Sequence, residues 1–344
     1  MEELLNNYET YYAKGMEQRF VPHDELVKRL QTLPKMYEVT QIGTSFEERA
    51  IYAVRAGIGS IRVLLWTQMH GDESTATRSL FDIFNFLATT DNHAVSIREA
   101  ILNKLDVYCI PMLNPDGAMR WQRETAQQID MNRDARRALT PEARLLQAVA
   151  KDFKPQFAFN LHDQSKYYSA GFSKNPASIT LQAPPVDARE TVTPNRKQAM
   201  QLLVLLNRLL QQHIPNSVGR WSDDYEPRAF GEWFQAQQIA TALIESGAYY
   251  NDPERMYVRK IHFALLLKAL YAVAAETYEK EDSALYKTIP LNRKEGMFDR
   301  IERGKKITLN GKTFVADVGY RDDEQLQVTG DLQDFGSLNN EKIC

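Results

Sequence analysis

Four apolar runs constrain this chain more than any other feature: IRVLLWT (61–67), KLDVYCIPML (104–113), QFAFNL (156–161) and IATALI (239–244). Each is apolar at nearly every position rather than at every second one. A strand with one face in water alternates, whereas a strand covered on both faces does not. Segments with helical spacing lie between and after the runs: TATRSLFDIFNFLA (75–88), PEARLLQAVAKDF (141–153), RKQAMQLLVLLNRLLQQH (196–213) and PERMYVRKIHFALLLKALYAVAAETYE (253–279). Strands and helices in this alternation predict an α/β fold, a mixed, largely parallel twisted sheet with helices on both faces.

The rest of the chain divides around that frame. The first 35 residues read as helical, broken at Pro22 before the amphipathic stretch DELVKRLQTL. Two β-like runs follow, MYEVTQI and RAIYAVRAG, separated by a turn around Gly43 and Thr44. Residues 163–195 contain Gly171, Pro176, Pro184, Pro185 and Pro194 and read as a long loop, the kind of segment that often forms a functional lid. In KKITLNGKTFVADV (305–318), Asn310-Gly311 predicts a hairpin, because that pair suits the turn matching strand twist. The expected division is a main domain over 1–280 and a small β-rich extension with a polar tail over 281–344.

Composition narrows the function classes. With 43% hydrophobic and 25% charged residues among 344, the chain is an ordinary globular one. Its net charge of −3 supplies no global attraction to nucleic acid or to an acidic membrane surface. No run approaches the roughly 18 apolar residues of a membrane span. The N-terminus, MEELLNNYETYYAKGMEQRF, lacks the basic start and apolar core of a secretory signal. Two cysteines, Cys109 in an apolar run and Cys344 at the end, offer little for a disulfide framework, and the expected compartment is the cytoplasm.

Polar residues follow all four apolar runs: Gln68-Met69-His70-Gly71-Asp72-Glu73, Asn114-Pro115-Asp116-Gly117, His162-Asp163-Gln164 and Glu245-Ser246-Gly247. Ligands of open α/β sheets bind outside the carboxyl ends of strands, so these four loops are expected to face one crevice. His70 and Glu73 could share one ion if the chain turns between them, with His162 as a distant third ligand, the set that a catalytic zinc requires. The pair alone reads more readily as an accident with Glu73 favouring a helix dipole, and His162 alone as a hydrogen-bonded histidine at a strand end. Five arginines fall between 120 and 137 in this acidic chain, and guanidinium forks bind carboxylates and polarise oxyanions. Arg136 and Arg137 read as a solvated face. Glu245 closes an apolar run, where partial burial would raise its pKa towards that of a general base, although it could also cap the strand or pair with an arginine.

Taken in order, these pieces resemble the M14 zinc carboxypeptidase family, the carboxypeptidase A-like metallopeptidases, over roughly residues 36–275. His70-x-x-Glu73 resembles the first ligand pair, Asn114-Pro115-Asp116-Gly117 the NPDG turn, and Asp130-x-Asn132-Arg133 the D-x-N-R element, with Arg123 nine residues before Asn132. His162 matches the third ligand and Glu245 the catalytic glutamate. The resemblance implies a catalytic domain over 1–280 in which His70, Glu73 and His162 hold one Zn²⁺ per chain and Asp130 orients His70. It further implies Glu245 as the base, Arg123 on the oxyanion, and Asn132 and Arg133 on the terminal carboxylate. Carboxypeptidase A is itself the standard instance of such a His₂Glu site. Tyr225, in WSDDYEPRAFGEW, is the candidate for the family's mobile tyrosine, at a spacing two residues shorter; Tyr249 and Tyr250 are the alternative stand-ins, more readily read as packing beside the site.

There are departures. Asp72 stands where digestive members carry an arginine, and the pocket around Phe230-Gly231-Glu232-Trp233 does not align, so Glu232 or Asp72 could favour a basic side chain. The expected function is zinc-dependent removal of a C-terminal residue from a peptide or small amide substrate with a free carboxylate. The alternative is a zinc amidohydrolase acting on small N-acyl amino acids, and a third reading is a catalytically silent carboxylate-binding protein.

Overall fold

The computed structural model describes residues 1–173, 175–294, 297–321, 331–336 and 342–343. The four apolar runs become strands β3 (Ile61–Trp66), β4 (Leu105–Ile110), β5 (Phe157–Asp163) and β9 (Ala240–Ser246). Before them come β1 (Glu38–Thr44) and β2 (Ala50–Ala56), and between β5 and β9 lie β6 (Ser169–Ala170), β7 (Ile179–Gln182) and β8 (Val218–Arg220). The main sheet runs β1-β2-β4-β3-β5-β9-β7-β8. Its centre, β4-β3-β5-β9, is parallel throughout, and antiparallel pairs join β1, β2 and β7 to it.

The absence of alternation in the four runs has the expected cause. Val63 and Leu65 of β3 join a core with Leu80 and Phe84 of helix Thr75–Ala88, Leu203 of Pro194–Leu210 and Leu266 of Met256–Ala274. Leu64 and Trp66 join a second core with Leu146 of helix Pro141–Phe153 and Phe234 of Phe230–Ala236. Successive side chains on a strand point to opposite faces, and here both faces are covered by helices. Among the described residues, no helix is long and apolar enough to cross a membrane.

The structure departs from the sequence expectations in several places. The first 35 residues hold helices Glu2–Asn6, Tyr8–Tyr11 and His23–Gln31, but residues 12–22 form an irregular strap. Buried arginines take over the strap's carbonyls: Arg259 donates to Met16 O at 2.6 Å and to Ala13 O at 3.1 Å, and Arg78 to Glu17 O at 3.0 Å. The segment read as a loop over 163–195 contains β6 and β7, and β7 is an integral strand paired with β9. Helices Val95–Lys104 and Phe230–Ala236 and strand β8 were not expected. The predicted hairpin is present as β12 (Arg300–Leu309) and β13 (Lys312–Arg321), with Asn310 at φ 49° and Gly311 at φ 74°.

The C-terminal region also holds β10 (Asn292–Arg293), β11 (Met297–Phe298), β14 (Asp331–Gly336) and β15 (Lys342–Ile343). β10 pairs with β6, and β14 adds to the hairpin. Cys109 is buried and free, and Cys344 and much of the expected polar tail lie outside the described residues.

Candidate active site

The carboxyl ends of β3, β4, β5 and β9 meet at one cleft of about 700 Å³. The β3 and β4 loops are locked together. Asn114 Oδ1 caps helix Pro115–Arg120 by accepting from Gly117 N at 2.9 Å, Asn114 N donates to Gln68 O at 2.9 Å, and Asn114 Nδ2 donates to Met69 O at 3.2 Å. The loops approach so closely that a Cβ on Gly71 would lie 2.0 Å from the Gly117 carbonyl carbon. Between β5 and β9, register sets His162 directly beside Glu245.

This scaffold brings His70, Glu73 and His162 together, all buried. His70 Nδ1 lies 2.8 Å from Glu73 Oε1, His162 Nδ1 lies 2.7 Å from Glu73 Oε2, and the two Nδ1 atoms are 3.1 Å apart. Asp130 Oδ1 is 3.0 Å from His70 Nε2. With the proton on Nε2 for Asp130, Nδ1 of His70 presents a lone pair to the same point as its neighbours. His162 Nε2 is buried without a protein partner, so its tautomer is left to whatever Nδ1 binds. Two imidazole nitrogens and a carboxylate aimed at one point, with a carboxylate behind one imidazole, are the donor set that zinc takes.

The electrostatics agree. Burial would push Glu73 up, but His70 and His162 outweigh it and hold the carboxyl well below its ordinary range. Burial would pull His70 down, yet Glu73 and Asp130 raise it to about 9. In His162 burial wins and lowers the pKa. The cluster is thus arranged to hold positive charge among its donors.

Glu245 differs. Burial first, then the nearby Glu73 charge, raise its pKa, against a hydrogen bond from Trp221 Nε1 to Oε1 at 2.9 Å. Arg123 crosses the cluster, with Nη1 3.0 Å from His70 Nδ1 and Nη2 3.0 Å from Asp130 Oδ2. Asn132 Oδ1 accepts from Phe230 N at 2.9 Å, and Arg133 Nε lies 3.4 Å from Glu226 Oε2. These three, with Glu245 and the metal-ligand candidates, line the cleft, as do Asp72 and Glu232. Arg136 and Arg137 are exposed, as a solvated face requires.

Tyr225 is 38% exposed and is not among the residues lining the cleft; nor are Tyr249 and Tyr250. Sequence reasoning missed Trp221, Tyr168 and Lys294, which do line it. Trp221 follows the three-residue strand β8, too short to carry a periodic signal.

Comparison with known proteins gives the same picture. A family profile described as zinc carboxypeptidase, Peptidase M14, matches residues 23–185, which include all three metal-ligand candidates. Carboxypeptidase 2 of Trichophyton rubrum is 29% identical over 103 residues, covering 30% of this chain and 18% of the relative. Human carboxypeptidase D is 29% identical over 139 residues, covering 31% of this chain and 10% of the relative. The match spans about a fifth of the length of the first curated relatives. Among solved structures, a Burkholderia cenocepacia metallo-carboxypeptidase aligns with TM-score 0.57 and 15% identity over 76% of this chain and 71% of that one. The Helicoverpa armigera carboxypeptidase A aligns with TM-score 0.59 and 16% identity over 79% of this chain and 77% of that one. At such identities the likeness is one of fold, and the fold is carboxypeptidase A-like. Over residues 23–185, just under half of the chain, the sequence matches the zinc carboxypeptidase (M14) family, and the order of the site residues and the fold agree with that match.

Proposed function

We infer that the protein is a zinc metallocarboxypeptidase that hydrolyses the C-terminal peptide bond of a peptide. The observation that carries this is the convergence of His70 Nδ1, Glu73 and His162 Nδ1 beside Glu245 and Arg123, on strand ends of one sheet. His70, Glu73 and His162 would hold one zinc ion per chain. When bound, the ion polarises the scissile carbonyl and acidifies water.

The chain's own groups supply the rest. Glu245, with its raised affinity for protons, takes a proton from the attacking water and delivers it to the leaving amine. Arg123 faces the oxyanion that forms when water adds to the carbonyl. Asn132 has its Oδ1 committed to Phe230 N, which leaves its amide N–H groups for the terminal carboxylate, with Arg133 as the cationic partner. Asp130 fixes the His70 tautomer. Tyr225 is assigned the closing role of the family's tyrosine, which requires its exposed loop to swing inward. A reducing compartment, the cytoplasm, is part of the proposal and rests only on sparse cysteine; cell fractionation tests it.

The test is product analysis on three substrate sets: peptides with free C-termini, the same peptides amidated, and N-acyl amino acids. A carboxypeptidase releases single C-terminal residues from the first set, at least about tenfold faster than from the second. Turnover confined to the N-acyl amino acids would assign the amidohydrolase activity instead.

A further inference from the structure

The strands beyond residue 290 reach the cleft. β10 pairs with β6, in the segment that leaves the ligand strand β5. Asn292 Nδ2 donates to Gln164 Oε1 and to Thr180 Oγ1, both at 2.8 Å. A Cβ on Gly219 would lie 1.8 Å from Asn292 Oδ1, so a larger residue there would displace this side chain. Asp299 accepts from Tyr167 Oη and from Lys166 Nζ, and the Arg321 guanidinium lies 5.1 Å from the Tyr167 ring centre. Gln164, Tyr167 and Tyr168 line the cleft, so the wall they form is held from behind by Asn292, Asp299 and Arg321.

Lys294 goes further and lines the cleft itself. Its Nζ is 5.9 Å from the Tyr168 ring centre, and Tyr168 packs edge-on against Trp221 at 4.8 Å. Trp221 in turn donates to Glu245. An exposed ammonium thus stands two aromatic rings from the general base. The anchor for a terminal carboxylate belongs to a different wall, where Arg133 meets Glu226 and Asn132 holds Phe230. A peptide anchored there, with its scissile carbonyl between Arg123 and Glu245, leaves the Tyr168–Lys294 wall to its acyl part.

We propose that Asn292, Lys294, Asp299 and Arg321 build a working wall of the cleft and that Lys294 is a specificity-determining residue, selecting a carboxylate on the acyl side of the scissile bond, such as Asp or Glu in the penultimate position. The proposal deepens the carboxypeptidase reading and rests on it. An ammonium at the rim gives a modest, salt-screened attraction, so it separates substrates through KM rather than kcat.

The test uses the full zinc-loaded chain and N-blocked dipeptides that share one terminal residue, with Glu, Ala or Lys before it. The wild type is expected to prefer Glu to Ala. That ratio of kcat/KM falls about three- to fivefold in Lys294→Ala, and Lys294→Glu reverses the preference towards Lys, both effects shrinking at high salt. Binding of the same peptides to zinc-loaded Glu245→Gln protein, with and without Lys294→Glu, gives the same ranking without turnover. Unchanged ratios and affinities across these proteins overturn the proposal. Failure of the wild type to cut any of the peptides overturns the carboxypeptidase reading instead, and the affinities then still decide whether Lys294 selects a carboxylate.

Discussion

A carboxyl group withdrawn from water ordinarily takes up a proton, and the buried Glu73 and half-buried Glu245 of this site part company on that point. Glu73 touches both imidazoles and stays ionised, whereas Glu245 is pushed upward by burial and by the Glu73 charge, against the neutral indole N–H of Trp221 and the more distant His70 and Arg123. Environments that drive two carboxylates apart assign them different work, one to ligation and one to proton transfer. Glu245→Gln keeps the shape and removes the proton acceptor. Its kcat is expected to fall by about 10²–10⁴-fold with zinc content unchanged, as measured by turnover and elemental analysis on the same sample. Substantial activity at full zinc occupancy would remove Glu245 as the base. The positions of His70, Glu73, His162 and Glu245 were legible because each closes or follows an apolar run, where strand ends must converge. Trp221 and Lys294 were not, since they reach the cleft from short strands whose place in the sheet depends on tertiary pairing.

At the scale of elements, the four central strands were legible for a physical reason: a strand covered on both faces has no polar positions to break its run. The same logic hid β7. Its ITLQ is short and lies in a proline-rich stretch, and it becomes a strand only because β9 offers it an edge. Helix Val95–Lys104 was hidden because only Ile97, Arg98 and Ile101 are buried, too few for a stripe. The strand-end loops carry the tightest local constraint. A Cβ on Gly71 would meet the Gly117 backbone at 2.0 Å, and backbone cannot step aside as a flexible side chain does. Gly71→Ala is therefore expected to cost about 1–3 kcal/mol and to displace His70. Calorimetric zinc titration should show weakened affinity in a protein that keeps its helical circular dichroism; wild-type affinity would show that the loops do not set the ligand geometry.

At the scale of the whole molecule, stability should carry a pH signature from the cleft floor. Burial raises Glu232 from its ordinary 4.5 to about 7, and the residue is only 7% exposed. A carboxyl whose folded pKa is raised binds its proton more tightly when folded. Its contribution is fully present below the unfolded pKa and is lost as pH climbs from there through the folded value. Wild type and Glu232→Gln should accordingly have similar stabilities near pH 4.5. The variant should gain on the wild type as pH rises to about 8, by up to roughly 3 kcal/mol. Denaturant melts across that range check this, and a difference independent of pH would mean that Glu232 ionises freely in the fold.

The whole account depends on a single ion joining side chains that are far apart in sequence but converge at the crest of the sheet. Anomalous scattering at the zinc edge, from crystals of the zinc-loaded chain, tests that most directly. The expected result is one strong peak per chain within about 2.0–2.2 Å of His70 Nδ1, His162 Nδ1 and a Glu73 carboxylate oxygen. A peak elsewhere, or an occupied site that omits His162, would contradict it.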